Sequence, residues 1–195
     1  MGAGVIRVYL ETEKTWTFAC AVDLPGLARR GRSPEKALDE LEAYRDRYVE
    51  QVVGELSVVG TLKGGVGTVW APSELGPWDS ERLSDKEIRL LERCWEVFDE
   101  TAARVSAELQ RGPRGGGRDR DDIVDHVREA ERSYARKVGV RVPPRTPWVE
   151  QRAAIVEGLR EPTDDRWPAK YLARRTAWHV LDHAWEMQDK DLSAG

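Results

Sequence analysis

Two patterns place the chain in the α+β class, with a small mixed module ahead of an all-helical one. Through the first 70 residues apolar and polar side chains alternate with a period of two on either side of one helical stretch. Beyond residue 82, apolar side chains recur at steps of three and four. Between them, Ala71-Pro72 through Pro77-Trp78 has turn composition and no period. These shifts set the expected boundaries: a module over 1–70, a linker over 71–82 and a second module over 83–195.

In the first module Ile6, Val8 and Leu10 face one way, with Arg7, Tyr9 and Glu11 between them. After the polar Glu13-Lys14 corner, Trp16, Phe18, Cys20 and Val22 alternate again, which predicts a half-buried strand pair. Asp23-Leu24-Pro25-Gly26 then turns the chain. Ser33 is placed to cap a helix that begins with Pro34, and Ala37, Leu41, Tyr44 and Tyr48 follow at helical spacing. A third strand is expected within Leu56 to Trp70, in pieces broken by Gly60, Gly64, Gly65 and Gly67. The predicted order is β-β-α-β.

The second module opens on a capping box, Ser84 with Glu87. Ile88, Leu91, Trp95, Phe98, Ala102, Val105 and Leu109 then form one apolar stripe. Gly112 to Gly117 breaks it with a basic loop, whose Arg111, Arg114, Arg118 and Arg120 are expected to be solvated. A second helix is predicted over 121–137, ended by Val142-Pro143-Pro144, a third over 148–160 and a fourth over 168–190. Four helices with short links predict a four-helix bundle. Of the eight tryptophans, Trp95, Trp148, Trp178 and Trp185 fall on these helices, as core or pocket wall. Trp70 and Trp78 fall at the linker, where they are expected to pack the modules together.

Composition narrows the function. A net charge of -4 argues against a nucleic-acid-coating protein. No apolar run approaches the roughly 20 residues of a membrane span, and the first residues do not read as a signal peptide. Cys20 and Cys94, far apart, make neither a metal knuckle nor a disulfide framework. The expectation is a soluble, reduced, cytoplasmic protein without nucleic-acid or membrane partners.

The chain has three histidines, and all three fit one constellation. His179 and His183 are four residues apart, one turn from each other on one helix face, with Glu186 three residues further on. The neighbouring stripe of Ala173, Ala177, Val180, Ala184 and Met187 is apolar, so this face points inward. Imidazole suits zinc, nickel, copper and iron, and catalytic zinc usually takes three protein ligands with one position open. His126, on the inner flank of the second helix, is the candidate third ligand. The competing reading is a structural, hydrogen-bonded histidine pair without metal. Glu186 and Asp182 are candidates for orienting a ligand or for general-base work, against solvated helix charges. A two-metal reading uses His126-x-x-Glu129 and His183-x-x-Glu186, with Glu92, Glu96, Asp99 and Glu150 as further carboxylates, but reverses the residue order of known di-iron bundles.

Asp125-His126-Val127 with His179-x-x-x-His183 resembles the DinB-like four-helix bundles, over about Leu83 to Asp191. The resemblance implies one divalent metal on the three histidines, zinc first, with nickel or iron as alternatives. It also implies a small organic substrate and a low-molecular-weight thiol, since characterised relatives include S-transferases and isomerases that use mycothiol, bacillithiol or glutathione. A metal-dependent transferase or hydrolase is the expected class, and a homodimer is compatible with it. Phe18 to Gly26, followed by Gly31-Arg-Ser-Pro-Glu-Lys-Ala-Leu38, resembles the HicB-like domain, over about Val5 to Leu56. That resemblance implies a module that binds a protein partner or dimerises. No helix-turn-helix or ribbon-helix-helix signature follows it. The alternative function is therefore a non-enzymatic binding protein with the bundle as scaffold.

Lys63-Gly-Gly-Val-Gly-Thr68 looks like the start of a phosphate-binding loop. It lacks the lysine and hydroxyl residue after the last glycine and is read as a turn.

Overall fold

The computed structural model describes residues 4–113, 115–163 and 166–193, so Arg114 lies outside the described residues. The chain is α+β and divides into two compact units, Met1–Arg82 and Leu83–Gly195. No described helix is long and apolar enough to cross a membrane.

The first unit is a four-stranded sheet with one α-helix. Strands β1 (Val5–Thr12), β2 (Thr17–Ala21), β3 (Ala28–Gly31) and β4 (Glu55–Lys63) stand in the order β3-β2-β1-β4. β1 runs antiparallel to β2 and parallel to β4. The β1–β2 hairpin closes where the Glu13 carboxylate accepts the amides of Thr15 at 2.5 Å and Trp16 at 3.0 Å. β3 has no counterpart in the predicted β-β-α-β order. It has only four residues, and its central pair is Arg29-Arg30, so it carries no apolar alternation. Those guanidiniums instead lie over aromatic rings, Arg29 over Tyr44 at 3.8 Å and Arg30 over Trp16 at 4.5 Å. Gly26, at φ 93°, makes the turn that leads from β2 to β3.

Helix α1 (Pro34–Ala43) starts as expected, the Ser33 hydroxyl accepting from the Lys36 amide at 3.3 Å. It stops short of Tyr48, which is extended and buried, its hydroxyl donating to the Pro25 carbonyl at 2.8 Å. β4 runs through Gly60 instead of breaking there. Val58 pairs with Val8 and Gly60 with Tyr9, so Val59 is left over as a bulge.

The expected linker at 71–82 is packed into this unit. Ala71, Trp78 and Asp79 are buried, and Trp78 stacks on Tyr9 at 4.5 Å with Gly60 beneath its ring. Trp70 is exposed. The glycine-rich stretch leads into a 3-10 turn, Val66–Val69. Its Thr68 hydroxyl donates to the fully buried Glu11 carboxylate at 2.6 Å. Glu11 also accepts the amides of Ser73 at 2.9 Å and Glu74 at 3.1 Å.

The second unit contains α2 (Asp85–Arg104), α3 (Arg120–Ala135), α4 (Trp148–Arg160) and α5 (Ala169–Asp189). The capping box forms as read: Glu87 N–H donates to the Ser84 hydroxyl at 3.2 Å, and Ser84 N–H to the Glu87 carboxylate at 2.9 Å. α2 ends at Arg104, although its apolar stripe continues. Val105 and Leu109 are buried in an irregular, non-helical segment, which Asp191 holds by accepting Ser106 N–H at 2.9 Å and bridging to Leu109. α2, α3 and α4 all pack on α5, most of which is buried. α4 is tied to α3 through the buried Glu131. That carboxylate accepts from Trp148 Nε1 at 2.6 Å, Gln151 Nε2 at 3.3 Å and the Arg152 guanidinium at 3.4 Å. The other arm of Arg152 reaches Asp99 of α2 at 2.7 Å.

Replacing Glu11 by alanine leaves the Thr68 hydroxyl and the Ser73 and Glu74 amides without their acceptor. The expected loss is roughly 2–4 kcal/mol, within the range for breaking a buried hydrogen-bond network. Urea titration followed by circular dichroism reads it as a lower midpoint. An unchanged midpoint would show that the carboxylate does not hold this segment.

Candidate metal centre

α5 presents His179 and His183 one turn apart, and α3 presents His126 toward them. The helical periods of both segments put these residues on facing sides, and the packing of α3 on α5 closes the distance. One donor atom from each of the three residues lies within 4.8 Å of the others. The three rings are mutually adjacent, with centroids 5.0 Å apart for His126–His179, 5.1 Å for His126–His183 and 4.7 Å for His179–His183. The three histidines therefore can hold one metal ion.

Two details bear on how. The Nε2 atoms of His126 and His179 face each other at 3.1 Å. Two nitrogens on a tetrahedral zinc, each about 2.0–2.1 Å from it, lie about 3.3 Å apart. The same separation is also a hydrogen-bond distance, one ring donating and the other accepting, which is the metal-free alternative. His183 points its Nδ1 at Glu186 Oε2, 2.9 Å away, which leaves its Nε2 as the nitrogen available to an ion. A ligating histidine whose other nitrogen donates to a carboxylate is the usual arrangement around protein-bound metals. The second Glu186 oxygen accepts from Lys190 at 2.5 Å.

The electrostatics keep two of the rings neutral. Burial, then the charges of His183 and Arg118, push His126 below its ordinary pKa. Burial pushes His179 well below its own, reinforced by His183, His126, Arg175 and Arg118. The hydrogen bond from His183, with Lys190 beside it, outweighs burial and lowers Glu186 to about 2. Neutral imidazole is the form that binds metal.

Of the predicted site residues, the structure groups His126, His179 and His183. Asp182 and Glu186 stand outside that group, Glu186 touching it through His183 and Asp182 half-buried on α5. The further carboxylates of the two-metal reading stand outside it as well. Asp99 is bound to Arg152 and Glu96 to Arg93. Lys190, Arg118, Arg175 and Tyr134 were not singled out as site residues by sequence reasoning. Lys190 follows Glu186 by four residues, a readable spacing. Tyr134, whose ring lies 5.8 Å from that of His179, is brought there by packing alone.

No family model, curated protein or solved structure matches this chain. The case for function rests on its own residues.

The depressed histidines set a pH dependence. A histidine whose folded pKa lies below 6.5 binds fewer protons in the folded than in the unfolded chain. Stability is therefore level above about pH 6.5 and falls as pH drops below it, by up to about 1.4 kcal/mol per pH unit for each proton. Urea midpoints of metal-free protein at pH 7.5 and 5.5 measure this, and His179→Asn should flatten the difference. An equal difference in the variant would remove His179 as its cause.

Proposed function

We propose that the second unit is a metal-dependent enzyme of the DinB-like class, holding one divalent ion on His126, His179 and His183. The observation that carries this reading is the convergence of all three histidines of the chain from two helices onto one point. The four α-helices of the unit and the placing of the histidines on α3 and α5 support the likeness to DinB-like bundles. Zinc is the first choice, because imidazole nitrogen is among its preferred ligands and three protein ligands leave a tetrahedral ion one open position, and nickel and iron share the same ligand chemistry.

With one position open, such an ion lowers the pKa of a bound thiol or water, giving a thiolate for a transferase or a hydroxide for a hydrolase. A low-molecular-weight thiol is the co-substrate in the transferase form. Glu186 holds His183 in the tautomer that directs Nε2 inward. Because both of its oxygens are engaged, it serves as an orienter.

The test is metal content by plasma mass spectrometry on untagged protein. About one ion per chain is expected, lost in His179→Ala. Glu186→Gln should keep the ion but bind it about 10–100-fold more weakly. No uptake of zinc, nickel or iron would make the histidines a structural cluster.

A second reading assigns the first unit to binding, as a HicB-like module that takes a protein partner or a second copy. It is favoured by β4, an edge strand whose Val58 and Val59 are 45% and 46% exposed. A dimer in light scattering that Val58→Lys with Val59→Lys converts to monomer supports it. A wild-type monomer that retains no partner sinks it.

A further inference from the structure

The three-histidine centre draws on two helices, His179 and His183 coming from α5 and His126 from α3. Whether the three converge is therefore set by where α3 lies along α5. The chain between α2 and α3 does little to fix this where it runs through Gly112, Gly115, Gly116 and Gly117, because glycine-rich chain holds no single conformation of its own. The part ahead of those glycines is held firmly. Residues 105–110 are bonded on one side to the C-terminal end of α5 and on the other to the start of α3.

At the α5 end, one oxygen of the Asp191 carboxylate accepts the Ser106 N–H at 2.9 Å and the Ser106 hydroxyl at 3.0 Å. Asp191 also accepts the N–H and the hydroxyl of Ser193, at 3.0 and 2.7 Å. Beside it, Gln110 N–H donates to the Lys190 carbonyl at 2.8 Å, and Leu192 N–H to the Ser106 hydroxyl at 3.1 Å. At the α3 end, Leu109 N–H donates to the Asp119 carboxylate at 3.2 Å, and Arg120 N–H to the Ala107 carbonyl at 3.1 Å. Asp119 stands in the N-cap position of α3, yet its side chain makes no capping bond there and is engaged by this segment instead. The Lys190 side chain, in turn, holds Glu186, the carboxylate on His183. One junction thus joins the end of α5 that carries His183 to the helix that brings His126.

We propose that Asp191 is a positioning residue for the three-histidine centre, holding α3 at the point along α5 where His126 meets His179 and His183. This rests on the metal reading above and adds to it a residue beyond the last histidine. Asp191 acts through Ser106, through the segment from there to Leu109 and Asp119, and through α3. Released from that grip, α3 keeps its packing on α5 but loses its fixed height along it, and a ligand nitrogen off its bonding distance by more than about 0.2 Å makes a poor bond to the ion.

The test titrates metal-free protein with cobalt and follows the visible absorption of the bound ion. Asp191→Ala is expected to bind cobalt about tenfold more weakly than the wild type, the lower end of the range for residues that support metal ligands from outside. Asp191→Asn keeps a carbonyl oxygen for the Ser106 donors and should restore the affinity. Ser84→Ala is the control for general weakening of the fold, since it removes the α2 cap near the other end of α5, where Glu87 meets Lys170. Urea midpoints of both alanine variants measure that weakening. Unchanged cobalt affinity in Asp191→Ala overturns the positioning role. So does a loss that asparagine does not reverse, or one that Ser84→Ala matches in proportion to its own drop in midpoint. Failure of the wild-type protein to take up cobalt overturns the metal reading, and the role of Asp191 with it.

Discussion

The second unit depends on burying α5, a helix that is not apolar. Along its buried length it carries Lys170, Arg174, Thr176, His179 and His183 as well as leucine, alanine and tryptophan. Polar groups removed from water cost free energy unless they find partners, so the neighbouring helices must supply them. Lys170 meets Glu87 of α2 at 3.1 Å, a pair buried on both sides. His183 meets Glu186 within its own helix, and His179 meets His126 of α3. Glu87 and His126 tie α2 and α3 to α5, while among the described residues Thr176 Oγ1 and His179 Nδ1 stay buried without a hydrogen-bond partner. The histidine cluster is thus part of how α5 is packed against α3.

The helical half of the molecule was largely legible because its signals are local. The Ser84–Glu87 box, the bounds of α4 at Trp148 and Arg160, and the one-turn spacing of His179 and His183 all follow from residues within a few positions of each other. Misreadings came where distant contacts override local pattern. The stripe through Val105 and Leu109 kept its helical spacing, yet Asp191, more than eighty residues away, holds that segment in an irregular path. Arg29 and Arg30 gave no strand signal because their rings of contact, Tyr44 at the end of α1 and Trp16 just before β2, lie outside the strands. The turn composition of 71–82 was read correctly as irregular chain, but irregular is not the same as unpacked, as Trp78 on Tyr9 demonstrates.

The candidate site follows the same division. That two histidines share a face of α5 is a matter of period. That His126 comes within 3.1 Å of one of them depends on how α3 lies against α5, which no spacing encodes.

α3 is held from two sides, by the imidazole contact with α5 and by the Glu131 network with α4. The second hold uses carboxylate, indole, amide and guanidinium groups and asks nothing of an ion. Any ion the three histidines take would therefore meet ligands that the fold has already brought together, unlike small domains whose ligands meet only when metal arrives. A preformed cage of three imidazoles does little to discriminate among late first-row metals, whose affinities rise toward copper whatever the protein prefers. Which ion such a cage would carry in a cell would then be decided by supply, through the exchangeable metal pool and the order in which ions reach the folded chain.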